Sequence, residues 1–256
     1  MINSYICITF AFFKHHCFRI RQMIVKSYID TAEVVREILQ LWDQLTDTQA
    51  KLFENSLFIR QFKKGEFIHR GLSAPEHIMY LIEGKVKIFK DGVGGRNQII
   101  RIIKPAEFFG YRAHFAEEDY KTSAMSFETS TVAFIPSHII YEVMRENPSV
   151  SLFFVRQLSR ELGVSDARIV NLTQKHIRGR LAEALLYLKD TYGLEEDGHT
   201  LSIYLSREDL ANLSNMTTSN AIRTLSCFAT EKLIAIDGKK IKIIKDDELQ
   251  KISAIG

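Results

Sequence analysis

Apolar residues change their period twice along this chain. Between Phe58 and Ile135 they come in short runs: Phe58 to Phe62, Phe67-Ile68, Ile78 to Ile82, Val86 to Phe89, Ile99 to Ile103 and Val132 to Ile135. Gly65, Gly71, Gly84, Gly92, Gly94, Gly95 and Gly110 punctuate these runs. Many short strands separated by glycine turns close into an antiparallel barrel or roll. On either side the spacing is helical. Upstream, Val34, Val35, Ile38, Leu39, Leu41, Trp42 and Leu45 recur at helical intervals, and Thr46 or Asp47 can cap a second helix carrying Ala50, Leu52 and Phe53. Downstream, Ser137 can cap a helix through Met144. Asn147-Pro148 then breaks it and restarts a long one, since proline suits a first helical turn.

These periods predict an α+β fold. A helical lead-in spans 23–57, an antiparallel β-roll or jelly roll spans 58–136, helices fill 137–172, and a small domain occupies 173–256. The chain has 256 residues, 46% hydrophobic and 25% charged, enough to bury a sizeable core in each part. A net charge of +3 is too small to indicate nucleic acid by itself, so the placement of charge must carry that case. Cys7, Cys17 and Cys227 are scattered, odd in number and form no CxxC pair. That pattern argues against a disulfide framework or a metal site and points to a reducing, cytoplasmic setting. At the start, apolar Ile6 to Phe13 precedes Lys14, His15, His16, Arg19 and Arg21. A signal peptide carries its charge first, and the run is far short of a membrane span, so no membrane partner is expected. Residues 1–22 read instead as an over-long start, with translation expected from Met23.

The second downstream helix is expected to run to about Leu172 with one apolar stripe: Phe154, Leu158, Leu162, Ile169 and Leu172. A long single-stripe helix pairs with a copy of itself or packs on its own roll, and its two sides allow both. Phe154, Leu158, Leu162 and Ile169 are the expected dimer interface. Trp42 reads as core packing.

The C-terminal part carries the most specific pattern. Leu181, Leu185, Leu186 and Leu188 mark an amphipathic helix, and Gly193 and Gly198 bracket an acidic loop. Ser206-Arg207-Glu208-Asp209 has the form of a capping box opening a helix with Leu210, Ala211 and Leu213. Ser214-Asn215-Met216 makes a turn, and Thr217 caps a second helix containing Ala221, Ile222, Leu225 and Phe228. Ala211 is small where two helices must cross. Thr218, Ser219, Asn220 and Arg223 are short polar groups plus one guanidinium, which suits base edges in a major groove. Then Leu233 to Ile236, Asp237-Gly238 and a lysine-rich run containing Lys239, Lys240 and Lys242 give a basic hairpin able to touch phosphate. Helix, turn, helix and basic hairpin in this order predict a winged helix-turn-helix. A ligand-binding module that controls a partner protein would lack it. No Gly-rich phosphate loop, HExxH or GxSxG supports an enzyme.

Over residues 58–245 the chain resembles the Crp/Fnr family of bacterial regulators. Gly65 to Gly71 and Tyr80 to Ile88 resemble the opening of that family's cyclic-nucleotide-binding barrel. Leu205 to Ala211, continuing to Glu231-Lys232-Leu233-Ile234, resembles its DNA-binding motif. The resemblance implies a homodimer joined by the long helix, on a two-fold-symmetric double-stranded DNA site. It also implies contact with RNA polymerase. Arg207 would grip phosphate, and Thr218, Ser219 and Arg223 would face bases, Ser219 standing where well-known members carry glutamate.

The same resemblance places an effector pocket at Phe109, Gly110, Tyr111, Arg112, Thr122, Ser123 and Ala124, with Ser165 and Asp166 facing it from the long helix. Here the family's ribose glutamate is replaced by Tyr111 and its phosphate arginine by Thr122. Losing a charge-assisted and often bidentate anchor argues against cyclic AMP. An iron–sulfur cluster needs about four cysteines, which argues against that cofactor. Haem held by His69, His77, His114 or His138 stays open as an alternative, and the effector itself is not legible.

Overall fold

The computed structural model describes residues 30–42, 45–92 and 95–256. The expectations for Cys7, Cys17, residues 1–22 and a start at Met23 lie outside the described residues. The lead-in forms α1 (Thr31–Gln40) and α2 (Asp47–Ser56). Thr46 caps α2 reciprocally with Gln49. The strands are β1 (Phe58–Phe62), β2 (Phe67–His69), β3 (His77–Glu83), β4 (Val86–Asp91), β5 (Asn97–Ile103), β6 (Glu107–Phe109), β7 (Ser123–Ser126) and β8 (Ser130–Pro136), with the short helix α3 (Tyr111–Phe115) between β6 and β7. They build two four-stranded antiparallel sheets, in the orders β1-β8-β3-β6 and β2-β7-β4-β5. Phe58 pairs with Phe134 across the first sheet, and Val86 with Ile103 across the second. This is the expected roll.

Gly110, between β6 and α3, shows why a glycine is needed there. It has φ +85°, and a Cβ would lie 2.1 Å from the Met79 methyl.

After the roll come α4 (Ser137–Glu146) and α5 (Pro148–Gln174), whose N-terminus Asn147 caps by accepting from the Ser149 amide. One side of α5 seals the roll. Phe154 is 1% exposed, in an aromatic cluster with Trp42, Phe108, Tyr111 and Phe115. Trp42 stacks on Phe108 at 5.5 Å and is core, as its spacing suggested. Phe154 was expected at the dimer interface, and here the structure corrects the sequence. Six apolar side chains of α5 stay outside, Leu152, Val155, Leu162, Val164, Ile169 and Val170. Of these Val155, Leu162 and Ile169, at 56%, 64% and 59% exposure, share a seven-residue spacing, while Leu158 is partly buried against the roll.

The C-terminal part comprises α6 (Ile177–Tyr192), α7 (Arg207–Leu213), α8 (Thr218–Thr230), the hairpin β9 (Ile234–Asp237) and β10 (Lys240–Ile243), and α9 (Asp246–Ile255). It docks on the β4–β5 side of the roll: Phe89, Ile99, Ile102 and Phe127 share one buried cluster with Leu181, Leu185, Leu210 and Phe228. Polar ties flank that cluster. Lys87 Nζ lies 2.9 Å from Asp209, Gln98 Nε2 donates to the Asn212 carbonyl at 2.7 Å, and the Tyr192 hydroxyl donates to the Ile102 carbonyl at 2.9 Å. Arg168 of α5 is the junction, donating to the carbonyls of Ile99 at 2.6 Å and Leu213 at 2.9 Å, and to that of Ile100.

Candidate nucleic-acid interface and effector pocket

Two side-chain caps position the reading helix. Ser206 Oγ accepts from the Asp209 amide at 3.0 Å and donates to the Asp209 carboxylate at 2.6 Å, fixing the start of α7. Asn215, at φ 51°, turns the chain, and Thr217 Oγ1 accepts from the Asn220 amide to start α8. Ala211 is 1% exposed at the α7–α8 crossing. Ala221, Leu225 and Phe228 anchor α8 to the core, while Thr218, Ser219 and Arg223 face out, with Asn220 half-buried at the edge. Ile222, grouped with the core apolar residues by sequence, is 47% exposed on the outer face.

The wing forms with a one-residue shift. Asp237 pairs with Lys240, so the two turn residues are Gly238 and Lys239 rather than Asp237-Gly238. Gly238 at φ +56° leads the turn, as a type II′ hairpin requires. Lys239 is exposed at the tip. Lys240 lies 3.3 Å from Glu195 and over the Tyr204 ring, and Lys242 lies 3.0 Å from Asp197, so the acidic loop neutralises part of the wing. Arg207 Nη2 donates to the Gly238 carbonyl at 2.8 Å, tying the wing tip to the first turn of α7.

The effector-pocket residues divide. Tyr111 is 2% exposed at the start of α3, and its hydroxyl donates to the Glu161 carboxylate of α5. Arg101 of β5 pairs with the same carboxylate. Burial pushes the Tyr111 phenol above its ordinary range, which keeps it a neutral donor. Ser123 Oγ accepts from the Gly71 amide at 3.0 Å. Phe109 and Ala124 are fully buried, and Thr122 is half-buried. Arg112 instead turns outward to Glu118, 2.6 Å away. Ser165 and Asp166 are exposed, and the α5 residue that meets the roll is Glu161, one turn before them. Glu161 lies seven residues after the buried Phe154, a shared-face spacing that could have identified it.

The four histidines occupy different surroundings. His138 is exposed, and His77 makes edge contacts with Phe58 and Phe134. His114 borders an open cleft with Glu117, Glu118 and Asp119. His69 stacks on Tyr120 at 3.7 Å, and burial pulls its pKa down to about 4. Its ordinary value is 6.5, so between those values the unfolded chain takes a proton that the folded chain resists. Stability is therefore expected to fall as the pH drops from about 6.5 towards 4, by roughly 2–3 kcal/mol. Urea midpoints of the wild type and His69→Gln across this range check it. Parallel curves for the two proteins would assign the pH dependence elsewhere.

A roll closed by a long helix, with a docked winged helix-turn-helix whose reading face points outward, defines a DNA-binding transcription regulator. Residues 59–147 match the cyclic nucleotide-binding domain, and residues 179–252 match the Crp-like helix-turn-helix domain. The chain is 24% identical over 188 residues to a CRP-like cAMP-activated global transcriptional regulator of Mycobacterium tuberculosis, covering 73% of this chain and 84% of that one. It is 26% identical over 193 residues to the transcriptional activator protein Anr of Pseudomonas protegens, covering 74% and 78%. The fold matches the solved structure of FixK2 from Bradyrhizobium japonicum with a TM-score of 0.70, at 18% identity over 77% of this chain and 96% of that one. The chain belongs to the Crp/Fnr family of transcription regulators. Its domains and relatives are those of regulators, not enzymes. Among the described residues no helix is long and apolar enough to cross a membrane.

Proposed function

We propose that this chain is a cytoplasmic, homodimeric regulator that binds a two-fold-symmetric operator without cyclic AMP. The observation that carries the reading is the outward face of α8, where Thr218, Ser219 and Arg223 stand clear of a buried underside. Arg223 donates to a guanine edge, Thr218 and Ser219 read neighbouring bases, and Asn220 lies at the margin. Ser206, Arg207, Thr217, Lys239 and Lys240 position the backbone, Lys239 at the wing tip directly and Arg207 by holding that tip. RNA polymerase is the partner at the promoter.

The seam of Val155, Leu162 and Ile169 pairs with its copy and sets two reading helices about 34 Å apart. Leu162→Glu combined with Ile169→Glu is expected to give a folded monomer whose operator affinity drops to the non-specific level. Sedimentation and anisotropy check it, and a variant that stays dimeric would place the interface elsewhere.

The pocket residues do not fit a cyclic nucleotide. A cyclic phosphate would meet the Glu161 carboxylate, and the Tyr111 hydroxyl is already donated to that carboxylate. An iron–sulfur cluster is a poor match to three cysteines. Haem remains tied to a histidine whose surroundings favour it, and the carboxylates beside His114 do not. Whatever the input, the Tyr111–Glu161–Arg101 contact and the Arg168 junction couple roll, long helix and reading domain. A signal there shifts the population of DNA-competent dimers.

A further inference from the structure

Ile222 has no structural duty. Ala221, Leu225 and Phe228 of α8 are buried against the core and Ala229 packs partly against it, while Ile222 is 47% exposed. A β-branched side chain half in water on a helix gains little burial and is a poorer helix former than alanine, so stability does not explain it. Its position does. It stands one turn after Thr218 and Ser219 and immediately before Arg223, within the face proposed above to enter the major groove. Base edges there are hydrogen-bond donors and acceptors except for one apolar group, the C5-methyl of thymine.

We infer that Ile222 reads a thymine methyl within a base step of the guanine held by Arg223, an assignment that rests on the proposed DNA-binding role. The short side chains of Thr218 and Ser219 let the helix backbone approach closely enough for the branched side chain to reach the groove floor. A cytosine at the same place would set its N4 amino group against the isoleucine, where it finds no acceptor and loses water. Contact and exclusion therefore favour the same base.

The test begins with selection of an operator from a random duplex library by the full-length protein. It continues with duplexes in which each thymine is replaced in turn by deoxyuridine, which removes only the methyl. At one position, about fourfold weaker binding per half-site is expected, or about fifteenfold with both half-sites changed. Ile222→Ala should bind the two duplexes equally, as should Ile222→Ser. Replacing that T·A pair by 5-methylcytosine·G should bind better than C·G, which separates methyl contact from pairing identity. A selected operator whose affinity is indifferent to methyl removal at every position would overturn the Ile222 assignment and leave the regulator reading standing. Failure to enrich any sequence would overturn both.

Discussion

Arg223→Ala is expected to weaken operator binding by between about 5-fold and 150-fold per half-site, the range for losing a bidentate guanine contact, and the effect multiplies across a symmetric site. The side chain is exposed on α8, and the helix beneath it is held by Ala221, Leu225 and Phe228 rather than by Arg223 itself. The variant should therefore keep its wild-type melting temperature. Its binding to unrelated duplex should change much less, because that affinity comes from phosphate contacts at other residues. The signature is thus a collapsed ratio of specific to non-specific affinity at one fixed salt concentration. Equal loss on both kinds of DNA would make Arg223 a phosphate contact. No loss on the operator would mean that another face of the protein reads the bases.

Phe154→Ala should cost about 3–5 kcal/mol of stability, the usual range for removing a large aromatic from a core. Phe154 is 1% exposed and meets the rings of Tyr111 at 5.4 Å, Phe115 at 5.2 Å, Phe108 at 5.7 Å and Trp42 at 6.1 Å. Truncation opens a cavity where lead-in, roll and α5 meet, and Tyr111 loses the wall that orients it toward Glu161. The neighbouring Val155→Ala is the contrast. Its side chain is 56% exposed, so the chain's own fold should lose little while dimerisation weakens. Urea unfolding for the first variant and sedimentation for the second separate the two sides of α5. Similar unfolding midpoints for both variants would contradict this division of the helix.

That division shows where the sequence was informative. The roll was legible wherever its strands are runs of Ile, Val and Phe, as in β3, β4, β5 and β8, because burial on the pleated face leaves a dense apolar signature. The three-residue β6 and the Ser-Ala-Met-Ser strand β7 gave no such signal. They are specified by their partners: β7 is held between β2 and β4, Ser123 Oγ accepts from the Gly71 amide, and Ser126 bonds through its backbone to Gly65 and Glu66. The helix-turn-helix was legible from its caps, which are local. The wing turns one residue later than its Asp-Gly pair suggests, since a turn can also begin at the glycine. A stripe of apolar residues on α5 was legible, but not which side each member takes. Phe154 and Val155 are adjacent, and only the aromatic cluster across the sequence decides between them. The link from Tyr111 through Glu161 to Arg101 joins residues 50 and 60 positions apart, a pairing no local pattern encodes.

The most direct measurement is fluorescence anisotropy of the full-length protein on its selected operator, titrated with and without cyclic AMP in the presence of competitor DNA. The expected result is specific, competitor-resistant binding without nucleotide and no change in affinity when cyclic AMP is added. Binding that appears only with cyclic AMP would contradict the account, because Tyr111 and Glu161 would then have to part to admit a phosphate.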